Sequence, residues 1–166
     1  RTQTLSLDAG TSTRTYDTAG NLATQTDARN QKTVYTYDAL NRLTQTVFAD
    51  GSRDTYQYDQ GTQHLGRLTQ VTNGSGTTAY TYNSQGYLLS QKHTHGTFIR
   101  TFAYTYDASG RVSQLTYPSG KVIGYGYDLA GNLAQLTLNG QPLLNNIRIQ
   151  PYGAVKEWVW SNGTQH

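Results

Sequence analysis

Acidic side chains that directly follow a tyrosine are the residues of this sequence most open to a chemical interpretation. Five such carboxylates occur, at Asp17, Asp38, Asp59, Asp107 and Asp128. Two carboxyl groups held ~5–10 Å apart can act as general acid and base when their surroundings separate their pKa values. Each of these aspartates instead recurs in a near copy of the same local sequence, beside residues that favour turns. The pattern favours aspartates that hold turns over catalytic carboxylates.

A metal site is a second chemical possibility, because His93 and His95 are two residues apart. Residues with this spacing share a face of a β-strand and could together bind Zn²⁺ or Ni²⁺. A tetrahedral site needs more than two protein ligands, and no third ligand stands out nearby. We therefore expect solvated loop histidines, and we predict neither a metal nor a cofactor.

The sequence contains no motif that is typical of nucleophilic catalysis. The chain contains no cysteine, which excludes a disulfide framework and Cys-ligated metals. Gly-x-Ser-x-Gly, His-Glu-x-x-His, P-loop and dinucleotide-binding motifs are also absent. The sequence therefore predicts a protein that is not an enzyme.

Regularly spaced aromatic residues suggest a third kind of chemistry, the stacking of ligands on rings. Tyrosine and tryptophan rows can form platforms for sugars or for single-stranded nucleic acid. They can also pack against the rest of a repetitive sheet, and their recurrence in every unit favours packing. Trp158 and Trp160, two residues apart on one predicted strand, form the most promising ligand surface.

Charge and hydropathy argue against two classes of partner. The 13 basic and 10 acidic residues give a net charge of +3 without a run of like charges, so no nucleic-acid footprint is predicted. No apolar stretch approaches the ~20 residues of a membrane-spanning helix. The sequence starts at Arg1 without a signal peptide, as expected of a piece of a longer protein.

The tyrosines and aspartates belong to a repeated unit. Aligned on the tyrosine before the acidic position, six copies follow one another at intervals of 21 or 24 residues, at Tyr16, Tyr37, Tyr58, Tyr82, Tyr106 and Tyr127. A glycine closes the turn in four of them, at Gly20, Gly86, Gly110 and Gly131. A period near ~20 residues is typical of repeat proteins, whose units are stabilised mainly by their neighbours.

Each unit is predicted to be a β-hairpin with a second turn that leads to the next unit. Tyr35 and Tyr37 share one face of a strand, and residues 38–41 form a turn before a strand that begins near Leu43. The second set of turns contains pairs that favour type I′ turns, namely Asp50-Gly51, Asn73-Gly74 and Asn139-Gly140.

These units predict an all-β fold of antiparallel β-hairpin repeats that form a strongly curved or spiral sheet. About 14 short strands are expected, and sheets of more than ~10 strands usually curl or split. Residues 1–166 are predicted to form a single repeat domain of about seven units, with a degenerate first unit (residues 1–15) and a variant last unit (residues 141–166). Two insertions, Gln60 to Leu65 and around His93 to Phe98, are expected to enlarge turns and leave strands intact.

The two ends of such a sheet are predicted to be edge strands, near Leu5-Ser6-Leu7 and near Trp158-Val159-Trp160. Unpaired N–H and C=O groups along an edge can pair with another chain unless charge, proline or a covering element protects them. We therefore expect self-association through the edges, as a dimer or an open assembly.

The repeated Tyr-Asp-x-x-Gly-Arg/Asn-Leu unit, with Tyr-x-Tyr before the aspartate, resembles the YD-repeat (Rhs repeat) family. This family includes bacterial Rhs proteins, insecticidal toxin-complex subunits and animal teneurins. The resemblance covers roughly residues 5 to 163. It implies a β-sheet that spirals into a hollow shell, often around a toxic C-terminal domain. The Asp-Pro-x-Gly-Leu-like self-cleavage motif found after such repeats is absent.

The function implied by the resemblance is a non-catalytic structural segment of an Rhs-like polymorphic toxin or surface protein. Its implied partners are the toxin cargo and the secretion domain of the parent chain, and its implied location is outside a bacterium, secreted or on the cell surface. The alternative is a carbohydrate-binding or adhesive module that uses its Tyr and Trp rows to recognise glycans.

Overall fold

The computed structural model describes residues 1–7, 10–61, 64–150 and 153–166. Within these ranges the regular structure is entirely β, in fifteen strands and no helix. The strands are β1 Thr2–Leu7, β2 Gly10–Tyr16, β3 Leu22–Thr26, β4 Lys32–Tyr37, β5 Leu43–Val47, β6 Arg53–Tyr58, β7 Leu68–Asn73, β8 Gly76–Tyr82, β9 Leu88–His95, β10 Phe98–Tyr106, β11 Val112–Thr116, β12 Val122–Tyr127, β13 Leu133–Leu138, β14 Gln141–Ile149 and β15 Val155–Trp160. The predicted all-β architecture is confirmed, with one strand more than the expected number.

All fifteen strands join one sheet in chain order, so that each strand pairs with its neighbours in sequence. The alternation of apolar or aromatic residues with threonine and glutamine favours such strands. Short turns between them allow only antiparallel pairing. The predicted meander of hairpin repeats is therefore confirmed.

The chain divides into two compact units. One comprises residues 1–80 with 93–99, and the other comprises residues 81–92 with 100–166. In the first unit, β4 lies between β3 and β5, with Val34 opposite both Thr24 and Val47. In the second unit, β12 lies between β11 and β13, with Gly124 opposite both Gln114 and Thr137.

A β-bulge lies beside the Tyr-Asp turn in most repeats, and the sequence did not predict it. Thr36 pairs with Gln45 while Tyr37 pairs with Leu43, so Thr44 is the extra residue. The Thr44 hydroxyl donates a hydrogen bond to the Thr36 carbonyl at 3.1 Å. The same register shift occurs at Thr15/Tyr16, Gln57/Tyr58, Thr105/Tyr106 and Gly126/Tyr127. Each bulge bends its strand and increases the local twist.

The second set of turns is not uniformly of type I′. Asn139 and Gly140 have φ angles of 50° and 78°, as a type I′ turn requires. At Asp50-Gly51 only Gly51 has a positive φ, and its N–H donates to the Phe48 carbonyl at 3.0 Å. This is a three-residue loop with one left-handed position, so the type I′ prediction is wrong there.

Neither Asn73 nor Gly74 has a positive φ, so the type I′ prediction is also wrong at this pair. The left-handed angle in this hairpin belongs to Gly76, with a φ of 119°. Asn73 pairs with Gly76, which leaves a loop of only two residues, Gly74 and Ser75.

The two insertions behave differently. The first lies between the end of β6 and the start of β7 and leaves both strands intact, as predicted, although residues 62 and 63 lie outside the described residues. The second lengthens strands, which contradicts the prediction. Strands β9 and β10 have 8 and 9 residues, compared with 5 in β3, because the added residues continue the alternating pattern up to a short turn at Gly96 and Thr97.

The core among the described residues is thin. Ile147 is the one buried apolar residue, and the other buried side chains are those of Thr46 and Thr69, each 5% exposed. Most strand residues are half-buried. Stability must therefore come largely from the hydrogen-bonded ladder and from contacts between neighbouring strands and repeats.

Candidate functional site

The aspartate of each Tyr-Asp pair organises its turn. In the turn that starts at Asp38, the carboxylate accepts hydrogen bonds from the N–H groups of Leu40 and Arg42, at 2.9 and 3.0 Å. Its second oxygen accepts a bond from Arg42 Nε at 2.8 Å. Asp107 makes the corresponding bonds with the backbone and side chain of Arg111, at 2.9 and 2.8 Å. In both turns, the carboxylate therefore holds the backbone of its own turn.

Arg42 joins its own repeat to the next one. Its Nη2 lies 2.7 Å from Asp38 Oδ2 and 2.7 Å from Asp59 Oδ2. The guanidinium carbon also lies 4.4 Å from the centre of the Tyr58 ring, within the range of a cation–π contact. One side chain therefore makes an ion-pair bridge and covers the tyrosine of the following unit.

These contacts keep the carboxylates ionised. Hydrogen bonding from the Arg42 backbone and side chain lowers the pKa of Asp38, and the Arg42 side chain lowers the pKa of Asp59. The two carboxylates in turn raise the pKa of Arg42. A general acid needs the opposite shift, toward a protonated carboxyl at neutral pH. The structure brings Asp38 and Asp59 together, but it pairs both carboxylates with the Arg42 guanidinium. Neither carboxyl therefore has the raised pKa that a catalytic acid needs.

Tyrosine hydroxyls form a second set of contacts between repeats. The hydroxyl of the second tyrosine in a repeat donates to a backbone carbonyl at the start of the preceding returning strand. The bonds are Tyr37 to Leu22 at 3.0 Å, Tyr58 to Leu43 at 2.9 Å, Tyr106 to Leu88 at 2.8 Å and Tyr127 to Val112 at 2.8 Å. Burial raises the pKa of Tyr37, Tyr58 and Tyr106. The recurring tyrosines are thus half-buried and hydrogen-bonded to their neighbours, as the packing interpretation requires.

In several turns, the residue four positions after the turn aspartate or asparagine contacts the next repeat, although its type varies. Arg111 lies over the Tyr127 ring at 4.3 Å, in the manner of Arg42. Tyr87 stacks on Tyr106 with ring centres 4.9 Å apart. Asn21 instead donates from Nδ2 to Asn41 Oδ1 at 2.8 Å. This position couples neighbouring repeats by three different chemistries.

The remaining predicted motif residues also lie in turns or at strand ends. Tyr16 donates to the Gln3 side chain at 2.8 Å, and Asp128 accepts from the Asn132 N–H at 2.8 Å. Tyr82 lies at the end of β8. The four turn glycines have φ angles near left-handed values: Gly20 90°, Gly86 88°, Gly110 78° and Gly131 87°.

The paired histidines do not form a recognisable metal site. His93 lies within β9, where its Nδ1 is 3.0 Å from the Thr78 hydroxyl, so the prediction of a loop histidine is wrong for this residue. His95 is the last residue of the same strand and is exposed. Across the described ranges, no group of three His, Asp or Glu side chains could hold a metal ion.

The two tryptophans occupy different environments. Trp158 is half-buried and stacks on His166, with ring centres 5.1 Å apart. Its indole Nε1 is buried and has no hydrogen-bond partner among the described residues. Trp160 is 37% exposed. A cavity of about 320 Å³ lies beside Trp158 and is lined by Asn146, Arg148, Glu157, Val159, Gln165 and His166.

The edge beyond β15 is not bare, contrary to prediction. The Trp158 N–H donates to the His166 carbonyl at 3.1 Å, and the His166 N–H returns a bond to the Trp158 carbonyl at 3.0 Å. The Trp160 N–H donates to the Thr164 carbonyl at 2.8 Å. Residues 164–166 therefore cover the backbone groups that were expected to be unpaired.

Sequence reasoning missed the contacts between repeats but contained a signal for them. The motif itself includes an Arg or Asn four residues after the aspartate, as at Arg42 and Asn132. A polar residue that recurs at the same position of a repeating unit, next to a turn, can reach both its own aspartate and the neighbouring turn.

A search of the described residues for membrane-spanning helices finds none of sufficient length and hydropathy.

Known proteins share both the sequence pattern and the fold. A TcdB2-TccC3-TEV crystal structure superposes with a TM-score of 0.74 at 19% identity over 94% of this chain. A TcdB2-TccC3-Cdc42 structure gives 0.57 at 21% identity over 92% of it. A Tc holotoxin pore of Photorhabdus luminescens gives 0.52 at 18% identity over 92%. The chain spans 9%, 10% and 11% of those three chains, respectively.

No curated protein sequence matches the chain. The structural likeness, at this low identity, supports the fold. The sequence pattern goes further, because the family described as RHS Repeat matches residues 16–53, 64–97 and 106–141, about two thirds of the 166 residues. With its Tyr-Asp turns joined from one repeat to the next, the chain belongs to the RHS repeat family.

Proposed function

We propose that this chain is a non-catalytic structural segment in the wall of an Rhs-type β-shell. Residues 1–166 would act together as one repeat domain of a larger secreted or cell-surface bacterial protein. The shell would enclose or display a toxin domain of the same parent chain. The observation that carries the proposal is the coupling of Tyr-Asp turns to neighbouring repeats, seen at Arg42 and at the Tyr58 hydroxyl.

This coupling between repeats is more typical of a structural role in a shell wall than of a catalytic site. Hydrogen-bonding groups of the motif are used to hold the neighbouring unit, and the turn carboxylates are ion-paired or bonded to backbone N–H groups. One structural relative is a Tc holotoxin pore, which supports a toxin context for the parent protein.

Protection of the cargo tests the shell directly. In the full-length parent protein, the domain that follows the repeats should resist an added protease while the repeats are intact. Arg42→Gln weakens a contact between two repeats and should speed cleavage of the cargo. Arg29→Gln is the matched control, because Arg29 pairs at 3.5 Å with Asp27 of its own turn and its side chain is 85% exposed. A cargo domain cleaved equally fast within the intact parent and alone would contradict enclosure of the cargo by the shell.

Carbohydrate binding is a second candidate function, favoured by the cavity beside Trp158. Its lining combines an aromatic ring with Asn146, Arg148, Glu157 and Gln165, side chains that can hydrogen-bond to sugar hydroxyls. A glycan array followed by titration of tryptophan fluorescence tests this function. Saturable binding that is lost in Glu157→Gln and retained in Trp160→Ala would support it. The absence of any saturable glycan would exclude this candidate and leave the shell proposal intact.

A further inference from the structure

Three Asn-Gly pairs lie at hairpin tips of this protein: Asn73-Gly74, Asn139-Gly140 and Asn162-Gly163. Asparagine followed by glycine can cyclise, because the missing side chain lets the glycine nitrogen approach the asparagine amide. We propose that Asn73 is a site of spontaneous backbone modification and that it reacts faster than the other two. This inference is independent of the proposed function.

The reaction needs no cofactor or oxidant. The Gly74 backbone nitrogen gives its proton to hydroxide and attacks Cγ of Asn73, forming a carbon–nitrogen bond. The original side-chain carbon–nitrogen bond breaks, and its nitrogen leaves as ammonia after gaining a proton from water. Water then adds to either carbonyl of the cyclic imide and opens it, giving aspartate or isoaspartate. Negative charge builds on Asn73 Oδ1 during the attack.

The surroundings of Asn73 stabilise that developing charge. Oδ1 accepts hydrogen bonds from the Ser75 N–H at 3.0 Å and from the Ser75 hydroxyl at 2.6 Å. Two donors aimed at an oxygen that becomes an oxyanion form the arrangement that lowers barriers in acyl transfer. Both bonds come from Ser75, two residues after Asn73, so they hold the Asn73 amide beside the backbone of the turn that contains Gly74.

Space around Gly74 allows the ring to form. Gly74 is exposed, and no heavy atom outside its chain neighbours lies within 4 Å of the position that a Cβ would occupy. Glycine at this position has a φ that other residues also adopt, so the peptide is not held in a left-handed conformation. Access for water and hydroxide is therefore unobstructed on this side.

Among the described residues, the side-chain oxygens of the other two asparagines each accept one hydrogen bond instead of two. Asn139 Oδ1 accepts one bond, from the Val122 N–H at 2.9 Å, and Asn139 sits in a type I′ turn in which both central φ angles are positive. Asn162 Oδ1 accepts one bond, from the Thr164 N–H at 3.0 Å. Because each of these oxygens accepts one hydrogen bond instead of two, we expect Asn139 and Asn162 to react more slowly than Asn73.

Modification would alter the β7–β8 hairpin at its tip. It adds one negative charge, and the isoaspartate product adds one carbon to the main chain of a loop that has only the two residues Gly74 and Ser75. Close packing on the other side of the tip leaves little room to adjust, because Gly76 lies against the Thr94 carbonyl.

Peptide mapping by mass spectrometry tests the inference on the whole 166-residue chain. Samples held at 37 °C in buffers of increasing pH are digested, and the conversion of amide to acid is followed for the three Asn-Gly peptides. We expect conversion at Asn73 to be roughly tenfold faster than at Asn139, which is less than the ~10²-fold or more that one oxyanion donor contributes in an enclosed enzyme site, because this tip is exposed to solvent. Ser75→Ala should remove most of that advantage. The rate should also rise with pH, because the attacking nitrogen must lose its proton.

Two variants complete the test. Gly74→Ala should slow conversion at Asn73 alone, and Ser161→Ala, next to the Asn162 pair, should leave the Asn73 rate unchanged. Circular dichroism of each variant verifies that the sheet is retained. Equal rates at Asn73 and Asn139, or a Ser75→Ala variant that reacts as fast as the parent, would overturn the inference.

Discussion

Single side chains in this protein serve two repeats at once. Arg42 is held by Asp38 of its own turn, by Asp59 of the next turn and by the face of the Tyr58 ring. The side chain is only 23% exposed, so the two ion pairs are screened less by solvent than pairs on an open surface. Replacing Arg42 therefore affects both turns, whereas replacing an exposed arginine such as Arg29 affects one.

The Tyr58 hydroxyl provides a direct test of the contact between repeats. Tyr58→Phe removes its bond to the Leu43 carbonyl and leaves that carbonyl without this donor. We expect a loss of about 1 kcal/mol in the free energy of unfolding, measured by urea denaturation. The control Tyr56→Phe removes a hydroxyl from the same face of β6 and should cost less. An unchanged urea midpoint in Tyr58→Phe would show that the hydroxyl contact contributes nothing.

Acid should destabilise the protein through its turn carboxylates. The pKa of Asp38 and of Asp107 is lowered mainly by the N–H groups of Arg42 and Arg111, and that of Asp59 by the Arg42 side chain. Because an unfolded aspartate titrates near ~3.9, this stabilisation is complete above about pH 5 and is lost as pH falls through the lower folded pKa values. Urea midpoints should therefore fall as the pH is lowered from about 5 toward 3. Midpoints that stay constant over that range would contradict the assignment.

At the scale of the hairpin, turn and bulge occur together. The turn carboxylate fixes the loop, and the extra residue beside it, such as Thr44, shifts the register of the returning strand. This register shift comes immediately before Tyr37, whose hydroxyl donates a hydrogen bond to the preceding repeat. The bulge, which twists β5 beside Tyr37, therefore lies next to the tyrosine that bonds to the Leu22 carbonyl.

The type I′ turn at Asn139-Gly140 gives a prediction about one element. Gly140→Ala places a side chain at a φ of 78° and should cost about 1 kcal/mol. Gly74→Ala is the matched control, because Gly74 also lies at a hairpin tip but has no positive φ and open space around it. Thermal unfolding monitored by circular dichroism should show a lower Tm for the first variant and little change for the second. The reverse order would contradict the turn assignment.

The sequence predicted the elements better than their details. Tyr-x-Tyr strands and Asp-x-x-Gly turns follow from local conformational preferences. The hairpins and the order of the strands in the sheet could therefore be predicted from the spacing of these motifs. The bulge at Thr44 could not, because a threonine in a strand has the same local signature whether or not it is paired. Asp50-Gly51 fits a two-residue and a three-residue loop equally well, and the register of the flanking strands decides between them.

At the candidate site, the role of the turn aspartates was predictable and their bridging was not. A repeated carboxylate beside turn residues indicates a turn. Contact between Arg42 and Asp59 depends on how neighbouring repeats are aligned, which no single unit encodes. The covering of β15 was missed for a related reason, since residues 164–166 form only a short segment with one isolated β-bridge, from Gln165 to Val159, which no pattern reveals.

Across the whole molecule, the edges of the sheet decide whether copies associate. β1 is the first strand in the sheet order, and the outer side of β15 is occupied by residues 164–166. Self-association through the C-terminal edge therefore requires displacement of this short segment.

Removal of residues 164–166 should promote association. The truncation frees the N–H groups of Trp158 and Trp160 and uncovers the Trp158 ring now stacked on His166. Exposed edge strands with apolar side chains pair readily with other chains. Sedimentation velocity over a range of concentrations should show larger species for the truncated chain than for the full one. Identical distributions for both would mean that the segment does not protect this edge.

Pairing strictly between sequence neighbours also bears on how fast the protein acquires its structure. Most all-β proteins fold slowly because their strands pair with partners far away in the chain. Here every strand finds its partners immediately before and after it, and a single hairpin closes in about 1–10 μs. Each new hairpin can then extend an edge that already exists, so the chain can acquire its structure progressively from one end while the remainder is still being made.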